Sequence, residues 1–340
     1  MEINKTHRPI IIWLLTGCFL IYLMVVIGGI TRLTGSGLSI TQWKVVTGTL
    51  PPLSEESWQK EFDSYKQTPQ YKLINSDFTL SDFKGIFFWE YIHRLIGRII
   101  GFVFLIPFIW FWATKKFPPG FMKKAIVLFA LGGFQGFLGW FMVKSGLSEN
   151  VHVSHYRLAA HLISALMVFG FTFWYAMDLT SPPAPLPRER GVRKLSIILF
   201  SVVILQIIYG AFVAGLKAGY GYPTWPKMGE QWFPDEIVSL EPIWKNFLEG
   251  FAGVQFIHRY IAYVVVILVG IIFYRSRDAK SCVSTEQKKI INALGIIVLA
   301  QFTLGVLTLL YGVPIVIAVL HQTGAFFLFA TTLLLIHRTK

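Results

Sequence analysis

The segment Trp89-Glu90-Tyr91-Ile92-His93-Arg94 recurs 165 residues later as Val254-Gln255-Phe256-Ile257-His258-Arg259. Each copy stands at the head of a long apolar segment. Two further histidines, His161 and His321, follow in later apolar segments at an offset of 160 residues. This spacing predicts two similar halves, each with two histidines on two different helices. Because two imidazoles facing each other across a helical bundle can hold both axial positions of one heme iron, the pattern predicts two heme sites.

Composition indicates a membrane protein. Of the 340 residues, 54% are hydrophobic and only 14% are charged, too few charges to cover a soluble surface of this size. Runs long enough to span a bilayer as helices are expected at about 10–30, 87–113, 121–143, 153–177, 195–216, 252–274, 290–311 and 315–336. The predicted fold is all-α, with eight transmembrane helices forming two tandem four-helix bundles related by internal duplication.

The charge distribution predicts the orientation in the membrane. If the N-terminus is cytoplasmic, the segments on that side hold 17 basic and only 5 acidic residues. Positive charge concentrates on the cytoplasmic side of membrane proteins, so both termini are expected inside. The high isoelectric point is thereby explained without nucleic acid. The first apolar stretch is a full span with no small-residue cleavage site after it, so we expect a bacterial cytoplasmic (inner) membrane protein without a cleaved signal.

The two halves are predicted to be separated by a Pro-rich charged linker. The expected domains are residues 1–180, with a long outer loop at about 31–86, a cytoplasmic linker at 181–193, and residues 194–340. The loop entrances also correspond, since Gly29–Gly37 leads to Trp43 in the first half and Gly210–Gly219 leads to Trp225 in the second. The two cysteines, Cys18 and Cys282, fall in a span and a cytoplasmic loop, so no disulfide is expected between them.

The four repeated histidines share two further properties. In the predicted topology all four lie in the outer half of the bilayer, as paired ligands require. The residue four positions after each is small, which lets a flat porphyrin lie against the helix or, alternatively, lets helices pack closely. These residues are Gly97, Ala165, Ala262 and Ala325.

The remaining histidines are weaker candidates. His7 and His337 are expected at cytoplasmic ends, in solvent or at the interface. His152 and His155 are expected at the outer mouth of the fourth span, where ordinary interfacial placement is favoured over a role beside a heme.

Six motifs along the chain resemble the heme A synthase family, the membrane enzymes that convert heme O to heme A for aa3-type cytochrome oxidases. Each motif is short, but together and in order they are specific. They are Gly35–Ile40, Trp43–Leu53, Glu90–Arg98, Tyr156–Leu162, Gln255–Arg259, and Leu309–Pro314 followed by Leu320–Gln322.

The resemblance implies a division of labour. Substrate heme O would bind between His93 and His161, and a heme b cofactor between His258 and His321. Glu90 matches the family's acidic residue three positions before the first histidine. The chain lacks the cysteine pair that some members carry in the first outer loop. The implied partners are heme O synthase, cytochrome oxidase assembly factors and the lipid membrane; the sequence leaves a homo-oligomer open.

One chemical difference separates the halves. Glu90 shares a helix face with His93, whereas neutral Gln255 stands at the matching position of the second half. This predicts proton handling at the first site only, unless Glu90 is an interfacial carboxylate paired with Arg94 or Arg32. Arg94, Arg157 and Arg259, each near a histidine, are candidates to bind heme propionates.

Two other classes of protein compete with this interpretation. A diheme b-type cytochrome that only transfers electrons explains the four histidines, but it does not explain why only one half has Glu90. A transporter built from repeats would place ligand groups near the midplane on broken helices, which the shared outer depth of the histidines disfavours.

Overall fold

The computed structural model describes residues 7–42, 49–148, 153–180, 190–277 and 283–340. Most of the predicted linker, together with Trp43, His152 and Cys282, lies outside these ranges. The described part forms two compact units. One is Ile12–Thr172; the other is Phe173–Lys340 together with the start of the first helix. We call them the N-terminal and C-terminal units.

All eight predicted spans are present as helices. The described residues hold eight helices that are long and apolar enough to cross a membrane. They are α1 (Arg8–Leu33), α4 (Leu80–Ala113), α5 (Phe121–Ser148), α6 (His155–Thr180), α7 (Arg190–Gly215), α8 (Phe251–Arg277), α9 (Thr285–Leu310) and α10 (Ile315–Arg338). Exposed aromatic side chains such as Phe134 and Phe137 on α5 fit a lipid-facing surface.

Local sequence explains where several helices begin. At the start of α4, Thr79 and Asp82 form a capping box, in which each side chain accepts a hydrogen bond from the other residue's backbone N–H. Ser284 and Gln287 form the same device at α9. These caps start α4 seven residues before the predicted position 87 and α9 five residues before the predicted position 290.

The outer loop of the N-terminal unit contains two short helices that the hydropathy pattern does not predict, α2 (Glu55–Lys66) and α3 (Pro69–Leu73). The aromatic rings of Phe62 and Tyr65 on α2 stack on Phe83 of α4, with ring centroids 5.2 Å apart in both pairs. Tyr65 and Phe83 are fully buried. This aromatic core fixes the loop on the first turns of α4, just before the segment that carries Glu90 and His93.

The outer loop of the C-terminal unit is built from 3₁₀ turns around a smaller core of Met228, Ile237 and Ala252. Asn246 is buried there and its side chain bonds to the backbone of Leu240 and Ile243. Gly250 and Gly253 pack directly against the Asn246 backbone, and a Cβ at Gly250 would lie 2.7 Å from the Asn246 carbonyl oxygen. This packing fixes the loop at the start of α8, the helix of His258.

Candidate functional site

The two histidines of the C-terminal unit face each other. The ring centroids of His258 on α8 and His321 on α10 are 6.4 Å apart, and the rings are nearly perpendicular, at 86°. Two imidazole nitrogens that bind one first-row metal ion from opposite sides lie about 4 Å apart, which places the ring centroids about 6 Å apart. The observed separation therefore leaves room for one metal ion between the rings.

In the N-terminal unit, the corresponding histidines are His93 on α4 and His161 on α6. Among the described residues of the chain, no cluster of three or more His, Cys, Asp or Glu side chains could hold a metal ion. Each unit thus offers two imidazoles and no third protein ligand. A heme iron suits such a pair, because the porphyrin supplies its four equatorial nitrogens.

Each of the four imidazoles lies against a glycine of a neighbouring helix. Cβ atoms built at these glycines would lie 2.8–3.2 Å from the nearest ring atom, closer than ordinary van der Waals contact. The pairs are Gly28 with His93, Gly139 with His161, Gly210 with His258 and Gly305 with His321. A larger residue at these positions would crowd the ring, most severely at Gly305, so the four glycines form a cradle for the histidines.

The glycine contacts give a residue-by-residue correspondence between the two loop entrances. Gly28 makes the contact with His93 that Gly210 makes with His258. The left-handed residues at the starts of the following 3₁₀ turns, Gly35 and Lys217, lie seven positions after Gly28 and Gly210 respectively. The offset between the loop entrances is therefore 182 residues.

Glutamines on the cradle helices contact three of the four histidines. Gln135 Nε2 donates to the His161 carbonyl at 3.1 Å and lies 3.2 Å from His161 Nδ1. Gln206 Nε2 donates to the His258 carbonyl at 3.0 Å. His321 Nδ1 lies 3.1 Å from the Gln301 carbonyl oxygen, the kind of contact that fixes ring orientation and leaves Nε2 for a metal. Each glutamine lies one turn before its cradle glycine.

Glu90 is buried, and its two carboxylate oxygens accept hydrogen bonds from Arg94 and from the outer loop. Only 3% of its surface is exposed. Oε1 accepts from Arg94 NH2 at 2.6 Å and Arg94 Nε at 3.1 Å, while Oε2 accepts from Ser39 Oγ at 2.7 Å and the Ile40 N–H at 2.8 Å. The carboxylate therefore joins α4 to the outer loop one turn before His93.

Arg94 and Arg259 make matching contacts in their own units. Arg94 donates to the carbonyls of Ile40 and Gln42. Arg259 donates to the carbonyls of Tyr222 and Thr224, 182 positions further on, and also to that of Lys227. Gln255 Nε2 donates to the Tyr222 carbonyl. Both guanidinium groups thus hold the loop beside the histidine-bearing helix.

Arg157 makes a different contact. It donates to the Phe141 carbonyl at 3.0 Å, and its guanidinium lies 3.9 Å from the centroid of the Phe141 ring. This stacking ties the first turn of α6 to the end of α5.

One of the weaker histidines departs from its expected position. His337 was expected in solvent or at the interface, but it is fully buried. Its Nε2 lies 3.1 Å from Asp178 Oδ1, and its ring packs edge-on against Trp174, with centroids 4.8 Å apart. The expectation was wrong because the last turn of α10 packs inside the C-terminal unit. His155 lies at the start of α6, where its ring packs beside that of Tyr156.

Fold and site together define a class: a multi-pass helical membrane protein with two imidazoles inside each unit. The profile of a family described as cytochrome oxidase assembly protein matches residues 11–333. The heme A synthase of Flavobacterium psychrophilum is 52% identical, covering 98% of this chain and 99% of its own. Those of Flavobacterium johnsoniae and Nitrosospira multiformis are 49% and 44% identical, each over 98% of this chain. The chain belongs to the heme A synthase family, and these relatives lend no support to the electron-carrier alternative.

Proposed function

We propose that this protein is a heme A synthase, which oxidises the C8 methyl group of heme O to a formyl group and supplies heme A to aa3-type cytochrome oxidase. The observation that carries the proposal is the similarity to heme A synthases along nearly the whole chain. The paired imidazoles add a physical reason, since both units contain the donor set of a six-coordinate heme iron.

The C-terminal unit is proposed to hold a heme b cofactor between His258 and His321. The ring separation of 6.4 Å and the hydrogen-bonding position of His321 Nδ1 support this assignment. When bound, heme b would supply one-electron transfer. The role of the chain is to position both histidines: the cradle glycines Gly210 and Gly305 pack on the rings, Gln206 bonds to the His258 backbone, and the Gln301 carbonyl orients the His321 ring.

The N-terminal unit is proposed to bind the substrate heme O between His93 and His161. Successive hydroxylation would convert the methyl group to an alcohol and then to a hydrated aldehyde, which loses water. A hydroxylation that takes its oxygen atom from water releases protons and electrons together, and one that uses dioxygen takes up both. Protons are therefore exchanged with this site in either case, and Glu90 is the proposed group that relays them. The Ser39 hydroxyl, 2.7 Å from Glu90 Oε2, provides a short proton route to the carboxylate.

We propose that the arginines stabilise the heme propionates through their positive charge near the histidine-bearing helices. Arg94 and Arg259 already donate to loop carbonyls, and Arg94 also to Glu90. They therefore keep positive charge beside each histidine-bearing helix, where an anionic propionate is stabilised. Arg157 places a third guanidinium at the start of α6, the helix of His161.

The location follows from the same features. We infer that the protein spans the bacterial inner membrane with both termini cytoplasmic and the hemes toward the periplasmic side, and that heme O synthase and oxidase assembly factors are its partners. The matching contacts of Arg94 and Arg259 support an origin of the two units from one four-helix pattern.

Heme extraction tests the proposed function directly. The chain is produced in a bacterial strain that makes heme O but lacks its own heme A synthase, and extracted hemes are separated by chromatography. Heme A, with some hydroxymethyl intermediate, is expected. A strain that accumulates heme O while the purified protein carries only heme B would overturn the proposal and favour an electron carrier.

A further inference from the structure

The four cradles differ in one respect. In three of them the residue four positions before the cradle glycine is a glutamine: Gln135, Gln206 and Gln301. In the fourth, the cradle of His93, that residue is Met24. The two histidines of the N-terminal unit are therefore held unequally. In the C-terminal unit Gln206 donates to the His258 carbonyl, and His321 Nδ1 lies 3.1 Å from the backbone carbonyl of Gln301.

The glutamine contacts act at the ligand itself. Gln135 donates to the backbone carbonyl of His161 at 3.1 Å, and Gln206 donates to that of His258 at 3.0 Å. This fixes the distance between the cradle helix and the Cα atom of the ligand. The amide oxygens of all three glutamines are buried without a hydrogen-bond partner in the described part of the chain. Since an unpaired buried oxygen is costly, Gln135 and Gln206 are held in place by the bonds that their amide nitrogens donate.

Met24 offers no such bond. A Cβ built at Gly97 would lie 3.8 Å from Met24 Cε, so the thioether packs on α4 one turn beyond His93. Methionine contacts are apolar and adaptable. A polar contact between α1 and α4 before His93 joins Thr31 Oγ1 to the Trp89 carbonyl at 3.3 Å, and the same hydroxyl already donates to the Ile27 carbonyl at 2.8 Å. Within the described residues, no hydrogen bond reaches the His93 side chain.

We propose that His93 is the exchangeable axial ligand of the N-terminal unit and that Gln135 is a positioning residue that keeps His161 in place. This rests on the proposed function, in which the N-terminal heme is a substrate that must enter and leave. A substrate heme needs one ligand that can withdraw, whereas a resident cofactor needs two fixed ligands. The hydrogen bonds among the described residues match this requirement: both C-terminal histidines have a contact with the helix of their cradle glycine, and in the N-terminal unit only His161 has one.

Heme transfer to a scavenger tests the proposal without measuring turnover. The full-length protein in detergent is loaded with heme O, mixed with excess apomyoglobin, and followed by absorbance. We expect two phases, a fast one from the N-terminal unit and a slow one from the C-terminal unit. Met24→Gln should slow the fast phase by about threefold or more, the effect of one interhelical hydrogen bond in a membrane protein. Met24→Leu is the matched control and should leave the rate unchanged.

The histidine variants test the same asymmetry. In His93→Ala the N-terminal heme should stay bound through His161 as a high-spin species, whereas His161→Ala should lose it. Gln135→Met should accelerate the fast phase and leave the slow phase unchanged. Equal heme loss from the two histidine variants, or a fast phase that Met24→Gln leaves unchanged, would overturn the proposal. In this assay heme O is added to the purified protein, so heme transfer is measured without heme A formation. A wild-type protein that makes no heme A would contradict the proposed function without changing the outcome of the transfer assay.

Discussion

The imidazole of His321 lies so close to Gly305 that a Cβ built there would be 2.8 Å from ring atom Cε1. This is the tightest of the four contacts between a cradle glycine and a histidine. Because His321 Nδ1 is also within hydrogen-bond distance of the Gln301 carbonyl, the ring has little freedom to move away. The identity of residue 305 therefore controls the position of a proposed heme ligand.

Gly305→Ala tests this relationship. The added methyl group must displace the His321 ring or separate α9 from α10, an overpacking effect that typically costs about 1–3 kcal/mol. The low-spin b-type absorption bands of the purified protein should weaken or shift. Gly295→Ala, on the same helix but with nothing near its would-be Cβ, is the control and should keep the wild-type spectrum. Identical spectra from the two variants would contradict a ligand role for His321.

Removal of either C-terminal histidine tests the cofactor assignment. His258→Ala and His321→Ala should each remove or alter the low-spin b-type spectrum, while the protein still inserts in the membrane at wild-type amounts. The reason is that six-coordinate low-spin iron requires both axial imidazoles. If both variants keep an unchanged b-type spectrum, the heme b site lies elsewhere.

Reporter fusions test the proposed orientation. Alkaline phosphatase folds to an active enzyme only outside the cytoplasm, because it needs disulfides. It should be active when joined after Leu73, an exposed residue of the first outer loop, and inactive when joined after Lys340. The opposite result would place the outer loops in the cytoplasm.

Burial of Tyr65 predicts an alkaline limit for the first outer loop. Desolvation raises the pKa of Tyr65 above its usual value near 10. The folded state favours the neutral phenol. The contribution of Tyr65 to stability is therefore complete below the pKa of tyrosine in the unfolded state, and it is lost as the pH rises through the pKa of Tyr65 in the folded state. Protease cleavage of the loop should accelerate above about pH 10. Tyr65→Phe should remove that pH dependence but weaken the loop at neutral pH, because the bonds to Gln70 and Asn75 are lost. A pH dependence unchanged in Tyr65→Phe would assign the effect to another group.

Hydropathy was enough to predict the eight spans, because each is a continuous apolar run whose length is set by the bilayer. It could not predict α2 and α3, whose stability comes from aromatic packing on Phe83. The repeated histidines predicted the pair of His258 and His321. The glycine opposite each ring was not predicted, since the contact depends on how neighbouring helices rotate. The burial of His337 was missed for the same reason: its partners, Asp178 and Trp174, are distant in sequence.

The contacts of Glu90 define how its catalytic role can be tested. Glu90→Gln removes the charge but also one acceptor, since an amide nitrogen cannot accept from the Ile40 N–H. The variant can therefore lose both proton transfer and anchoring of the outer loop. Ser39→Ala removes one donor to the same carboxylate and keeps its charge. Comparison of the two variants separates the effect on protons from the effect on the loop.

If Glu90 accepts protons during methyl oxidation, Glu90→Gln should lower heme A formation by about 10²-fold or more, the usual effect of losing a positioned base. Heme O or its hydroxymethyl intermediate should accumulate, and the b-type spectrum should persist, because the C-terminal unit keeps its own ligands. Ser39→Ala should lower the rate less. Gln255→Glu, which places a carboxylate at the matching position of the other unit, should not replace the lost activity when combined with Glu90→Gln. Chromatography of extracted hemes measures all three variants, and wild-type heme A from Glu90→Gln would make Glu90 an anchor of the loop alone.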